Sequence, residues 1–253
     1  MKTQNLDVVY CLKPRLNNEE LRYSLRSLKN FPHRHVWMFG GMPPSWVKGV
    51  HYIPVENNEK SKWANTRKML ETACKTKGLS ANFVWFNDDF FVLAPVQDLR
   101  YHYDGTLMER AEQTISSKTQ MPSRYGYNLM LVSNELEKKK QRTRNFELHC
   151  PIIYNKKKML ACLKKYKTVM PRSLYCNEYN VRAIENDDYK IDDLEHRYKA
   201  GNVFVSTSDE SFRAGEVGRQ IRGLFPVASE YEDKWAGLSR PPVFGQHRDL
   251  RFL

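Results

Sequence analysis

"NFVWFNDDFFVL", residues 82–93, is an apolar run interrupted by two adjacent carboxylates, Asp88 and Asp89. Phe83 to Phe86 read as a buried strand, which puts both acids at its carboxyl end. The upstream segments set this strand in context. "LDVVYCL" (6–12) is rich in β-branched residues, and "NNEELRYSLRSLKNF" (17–31) carries Leu21, Leu25 and Leu28 at helical spacing, with Asn17 and Glu20 as a capping box. "HVWMFGG" (35–41) and "VHYIPV" (50–55) are short strand candidates, and "WANTRKMLETAC" (63–74) is a second helix. Strands alternate with helices through residue 93, the order expected of an α/β fold with a mainly parallel central sheet flanked by helices.

In open α/β sheets, ligands bind beyond the carboxyl ends of the strands. Two carboxylates held between apolar flanks are costly to desolvate unless they are paired, protonated or bound to a cation. Magnesium or manganese, which take one or two carboxylates plus substrate phosphates, would supply that compensation and suit a nucleotide diphosphate. An alternative reading is a bend begun by Asn87 and Asp88, with the acids capping a helix or salt-bridged at the surface.

The chain of 253 residues fits one domain, residues 1–253, divided into a ligand-binding half (1–95) and an acceptor-side half (96–253). Hydrophobic residues at 41% and charged residues at 28% argue for a globular core rather than disorder. Five cysteines without any C-x-x-C pair favour reduced thiols and a cytoplasmic setting. No run approaches the roughly 20 apolar residues of a membrane span. The net charge of +12 is uneven: Lys138 to Lys167 hold eleven basic residues and one acid, Glu147. This segment reads either as a solvated helix face or as a surface for a polyanion such as DNA. Past residue 95, helices are expected in 104–115, 125–140, 156–166 and 215–225, with extended chain in 145–154 and a strand in 201–212. "ENDDYKIDDLE" (185–195) reads as an exposed acidic loop.

The blocks "NNEELRYSLRSLKNFPHRHVWMFGGMPPSWV", "WAN" and "FVWFNDDFFVL" together resemble the second conserved region of the Stealth family of sugar-phosphate transferases, over residues 17–93. "FELHCPIIYNKKKML" (146–160) resembles that family's third region. The resemblance implies a GT-A-like core, a nucleotide-sugar co-substrate, a metal at Asp88 and Asp89, and an active-site role for His149. The chain departs from the family at its start, where "DVVYCLKPRLNN" lacks the usual tryptophan-valine-aspartate-glycine turn. In its compact size it is closer to small, phage-type sugar transferases.

Other candidates follow from residue chemistry. Arg22 and Arg26, four apart on the first helix, suit diphosphate oxygens, although exposed helix arginines also need no ligand. Asn65 and Arg67 open the second helix, where free N–H groups favour anions. His149 suits a base for an acceptor hydroxyl, since free imidazole titrates near neutral pH; Asp209, in "STSDESF", is a rival base or second metal-side carboxylate. The other histidines show no metal-ligand spacing. The expectation is therefore a metal-dependent glycosyltransferase moving a sugar to a hydroxyl, with hydroxymethylated-base DNA or another polyanion as one acceptor class. The alternatives are a Stealth-like sugar-1-phosphate transferase and a non-catalytic nucleic-acid-binding module.

Overall fold

The structure is a computed structural model and describes residues 2–56, 61–168 and 170–233. In chain order its first elements are β1 (Asp7–Leu12), α1 (Glu19–Ser27), β2 (Val36–Gly40), β3 (His51–Pro54), α2 (Lys62–Lys75), β4 (Asn82–Phe86), β5 (Phe90–Val92) and β6 (Tyr101–Tyr103). They are followed by α3 (Leu107–Glu112), α4 (Arg124–Lys138), β7 (Ile152–Asn155), α5 (Lys156–Lys165), α6 (Pro171–Glu178), β8 (Ala183–Glu185), β9 (Lys190–Ile191), β10 (Phe204–Thr207), α7 (Asp209–Ala214) and α8 (Glu216–Leu224).

The central sheet has the order β3-β2-β1-β4-β7. Its first four strands are parallel and β7 runs antiparallel to β4, so the expected α/β architecture with a mainly parallel sheet is present. From β1 the chain lays β2 and β3 on one side and then returns to place β4 on the other. The reversal makes the gap between the carboxyl ends of β1 and β4 the topological switch point, where open α/β sheets form a ligand crevice.

Strand alternation feeds two cores. Val8 and Tyr10 of β1, Val36 and Met38 of β2, and Val84 and Phe86 of β4 face α1, whose Leu21, Leu25 and Leu28 are all buried there. Val9, Trp37, Phe39, Phe83 and Trp85 face the opposite side, against residues of α2, α4, α5 and α6. Burying each α1 leucine contributes roughly 1.5–3 kcal/mol, which is why this apolar stripe docks the helix on the sheet. Gly40 closes β2 at φ +118°, and a Cβ there would stand 2.3 Å from the Leu12 carbonyl oxygen. The close approach of β1 and β2 beside the crevice thus requires glycine. Pro54 is tolerated because β3 is an edge strand.

The strand expected at Phe83 to Phe86 is β4, and the apolar residues after the acids form a second strand, β5. Asp88 and Asp89 form the turn between them, and β5 leaves the central sheet to pair antiparallel with β10, which in turn pairs parallel with β9. The α1 cap falls one residue later than the capping box expected of Asn17 and Glu20. Asn18, at φ 31°, accepts the Leu21 N–H through its side chain at 3.2 Å, which frees Glu20 to point elsewhere. Of 145–154 only the last residues are strand, and Asp209 already belongs to α7. The acidic stretch 185–195 contains β9.

Candidate active site

Asp88 and Asp89 sit half-buried at the switch point, each with one oxygen engaged. Asn18 Nδ2 donates to Asp88 Oδ2 at 2.7 Å, so one asparagine both caps α1 and fixes the first acid. Ser206 Oγ, from β10, donates to Asp89 Oδ2 at 3.0 Å. Cys11 Sγ, near the end of β1, lies 3.6 Å from Asn87 Oδ1.

Two further carboxylates close in from the side. Buried Glu20 accepts Thr207 Oγ1 at 2.8 Å and lies 3.3 Å from Arg15 Nη1. Arg15 makes a two-pronged pair with Asp209, at 2.8 and 3.0 Å. Arg15 therefore bridges Glu20 and Asp209, and its charge also reaches Asp88. Burial, and then the charge of Asp89, push the Asp88 carboxyl above its usual range, against the pull of Asn18 and Arg15. Burial pushes Glu20 up to about 8; the Thr207 hydroxyl lowers it, while Asp209, Asp89 and Asp88 add to the rise.

A hard divalent cation fits this donor set. Asp88 and Asp89 are oxygen donors, but among the described residues no group of three or more His, Cys, Asp or Glu could hold a metal alone.

Next to the pair lies a cavity of about 600 Å³, within the size range of small-molecule sites. Asn87 and Phe90 bring its wall to the acidic turn, and Lys62, Trp63 and Thr66 supply one side from α2. Its lining also includes Glu147, His149, Asp188 and Arg172, whose guanidinium lies 5.7 Å from the Phe90 ring centre. Asp188 grips His149 twice: Oδ1 accepts its backbone N–H and Oδ2 lies against ring Nδ1, both at 2.8 Å. Burial would raise the Asp188 carboxyl, but the hydrogen bonds and charge of His149 outweigh it and leave Asp188 below its usual range. Arg172 is committed to the carbonyls of Leu148 and Cys150, which shapes the loop bearing His149. Burial raises the Glu147 carboxyl, countered by Arg172 and the Ser173 N–H.

The structure brings together some of the residues singled out from sequence and separates others. His149 lines the cavity, as does Asn87 beside the acid pair, whereas Asp88 and Asp89 themselves are not among its lining residues. Asp209 sits on the outer side of the acid cluster, its side chain 71% exposed. Arg22 and Arg26 do not line the cavity. Both are drawn to Glu232, at 3.1 Å for Arg22 Nη1 and 2.8 Å for Arg26 Nε, and Arg22 also lies over the Trp46 ring. Arg67 donates to the carbonyls of Leu163, Tyr166 and Thr168 and so caps the end of α5. Asn65 lies in the first turn of α2 next to the cavity-lining Lys62, Trp63 and Thr66, but its N–H already bonds Ser61 O at 3.1 Å. The N-cap itself is Ser61, which accepts the Ala64 N–H. The long reach of an arginine leaves its partner unspecified by helical spacing, and here backbone carbonyls and a buried glutamate win.

Sequence reasoning missed Arg15, Glu20, Asn18 and Ser206 around the acid pair, and Asp188 and Arg172 in the cavity. All five cysteines are free, four of them buried, and among the described residues no helix is long and apolar enough to cross a membrane.

No protein-family model matches the chain, and no curated protein matches it. The Stealth resemblance therefore stays with the residues quoted above. Among solved structures, the galactosyltransferase LgtC in complex with donor and acceptor sugar analogs aligns over 92% of this chain and 99% of its own, at 12% identity and a TM-score of 0.48. An active-site mutant of LgtC aligns with the same coverage and identity at a TM-score of 0.46.

Proposed function

We propose that this chain is a divalent-metal-dependent glycosyltransferase that moves a sugar from a nucleotide-sugar donor to a hydroxyl acceptor. One observation carries the reading: the Asp88/Asp89 turn lies at the switch point between Asn87 and Phe90, two residues that line a cavity also lined by a carboxylate-anchored imidazole. Asp88 and Asp89 would hold the cation, whose chemistry is to offset the charge that develops on the departing diphosphate. Asn18 and Ser206 each hold one oxygen of this pair in place. His149 takes the proton from the acceptor hydroxyl, and Asp209 restrains Arg15 at the rim. Arg22, Arg26 and Arg67 take structural roles in this reading, and Asn65 lies in the α2 turn that flanks the donor. The chain functions as a single domain, with the donor on the 1–95 side and the acceptor on the 96–253 side.

The second reading, sugar-1-phosphate transfer, draws on the family-like segment around His149 and uses the same cavity. The test is incubation with a panel of sugar nucleotides, manganese or magnesium, and saccharide or plain and hydroxymethylated DNA acceptors, with both products followed by mass. Release of a nucleoside diphosphate with a glycosylated acceptor is the expected result. A nucleoside monophosphate selects the second reading. Salt-sensitive DNA binding without turnover selects a non-catalytic nucleic-acid-binding module and overturns both.

A further inference from the structure

We propose that Asp188 is a positioning residue that fixes His149 as a single tautomer, with ring Nδ1 protonated and Nε2 presented to the cavity as the proton acceptor. The proposal rests on the glycosyltransfer reading for the substrate and on geometry for the dyad.

A carboxylate only accepts hydrogen bonds. Asp188 Oδ2 stands 2.8 Å from His149 Nδ1, so in the neutral ring Nδ1 carries the hydrogen and Nε2 keeps its lone pair. The ring has little freedom to turn. Asp188 Oδ1 also accepts the backbone N–H groups of His149 and Tyr189, each at 2.8 Å, which ties the ring's own main chain to the same carboxylate. Among the described residues no protein group engages Nε2, and the imidazole is 33% exposed beside Asp188 at 18%.

No other described histidine combines these features. His33 has both nitrogens occupied, by the Phe31 carbonyl and the Tyr231 hydroxyl. His196 meets a carboxylate, Asp193, but is 76% exposed and outside this cavity. His102 meets only the Tyr189 hydroxyl, at 3.3 Å.

In the transfer step, Nε2 takes the proton of the acceptor hydroxyl while that oxygen bonds to the anomeric carbon. The bond from this carbon to the diphosphate oxygen breaks, and its electron pair leaves with the nucleoside diphosphate. The imidazolium formed is stabilised across the Nδ1–H to Asp188 contact.

The experiment reads the tautomer directly, by long-range 15N–1H correlation spectra of the imidazoles, with His149 assigned from His149→Gln. The wild-type protein is expected to show His149 protonated at Nδ1. Asp188→Asn keeps an acceptor for the backbone N–H groups but offers an amide donor to Nδ1, so the ring is expected to switch to the Nε2-protonated form. In the same variant kcat is expected to fall roughly 10²-fold or more, with the donor KM changed by less than about threefold. Adding Asp188→Asn to His149→Gln is expected to cost nothing further, because the two act as a unit. A wild-type ring protonated at Nε2, or an Asp188→Asn protein with wild-type kcat, overturns the proposal. If no sugar nucleotide is turned over by the wild-type protein, the glycosyltransfer reading fails, while the wild-type tautomer still decides the dyad.

Discussion

Asp89 shares its turn with an equally charged neighbour and is held by Ser206 through one oxygen, leaving the other for a cation. Asp89→Ala is expected to abolish manganese-dependent thermal stabilisation and to cost on the order of 10²-fold or more in turnover, read by melting with and without manganese and by product release. Glu20 offers a test with a different sign. Its carboxyl, about 8 in the folded protein against an ordinary 4.5, binds its proton more tightly when folded. The associated stability is fully present below the ordinary value and is lost as pH rises through about 8. Glu20→Gln, which keeps an acceptor for Thr207, is thus expected to melt with the wild type near pH 4 and above it beyond pH 8; a lower melting temperature at high pH would contradict this. The acid pair was legible because charge interrupting a strand is a local anomaly. Glu20 was not, because "EEL" beginning a helix after asparagines is what any cap looks like, and only the one-residue shift of the cap to Asn18 turns Glu20 inward. Asp188 was equally hidden: nothing in "ENDDYKIDDLE" says which of its six acids reaches back 39 positions to a histidine.

At the scale of elements, α1 works on two faces. Its leucines dock on the sheet, and its arginines tie it to the segment after α8: Arg26 reaches both oxygens of Glu232 at 2.8 Å and the Phe225 carbonyl at 3.1 Å. The Glu232 side chain is only 2% exposed. Burial alone would raise its carboxyl, but Arg26 and the Ser229 N–H outweigh that and hold it below its usual range. Arg26→Met, which removes the two-pronged partner of Glu232 and leaves Arg22 and Ser229, is expected to destabilise the fold by about 1.5–3 kcal/mol in denaturant titrations. Turnover per folded molecule should stay near wild type. A large rise in donor KM without loss of stability would instead return Arg26 to the donor site. Helical periodicity gave the docking face of α1 correctly because burial is a property of the element itself. It could not give the partner of the polar face, which comes from residues about 200 positions away. The same limit explains why the sheet of the second apolar run, Phe90 to Leu93, was not legible: only the remote β10 shows that it belongs to another sheet.

Across the whole molecule, the basic segment shows how far charge alone predicts a partner. Part of its charge is spent internally. Lys156 bonds the carbonyls of Thr76 and Leu79, Lys165 pairs with Glu178 at 2.6 Å, and Arg144 lies 4.3 Å from the Tyr103 ring centre. Lys157 and Lys158 remain exposed on α5, and so does Lys164. No residue of α5 lines the cavity. A polyanion held on this helix would therefore be gripped away from the reacting atoms, contributing to encounter and affinity rather than to the chemical step. Reversing Lys157 and Lys164 to glutamate is expected to weaken DNA or other polyanion binding and to flatten its salt dependence. On duplex DNA the log–log slope should shrink by about 0.9 for each phosphate that the helix no longer neutralises. The kcat toward a small neutral saccharide acceptor should be unchanged, because neither lysine reaches the cavity. If the double reversal leaves the salt slope intact, these lysines form only a solvated helix face. If it lowers kcat with a small acceptor, α5 is coupled to the cavity through α6, which bears Arg172 and packs against it.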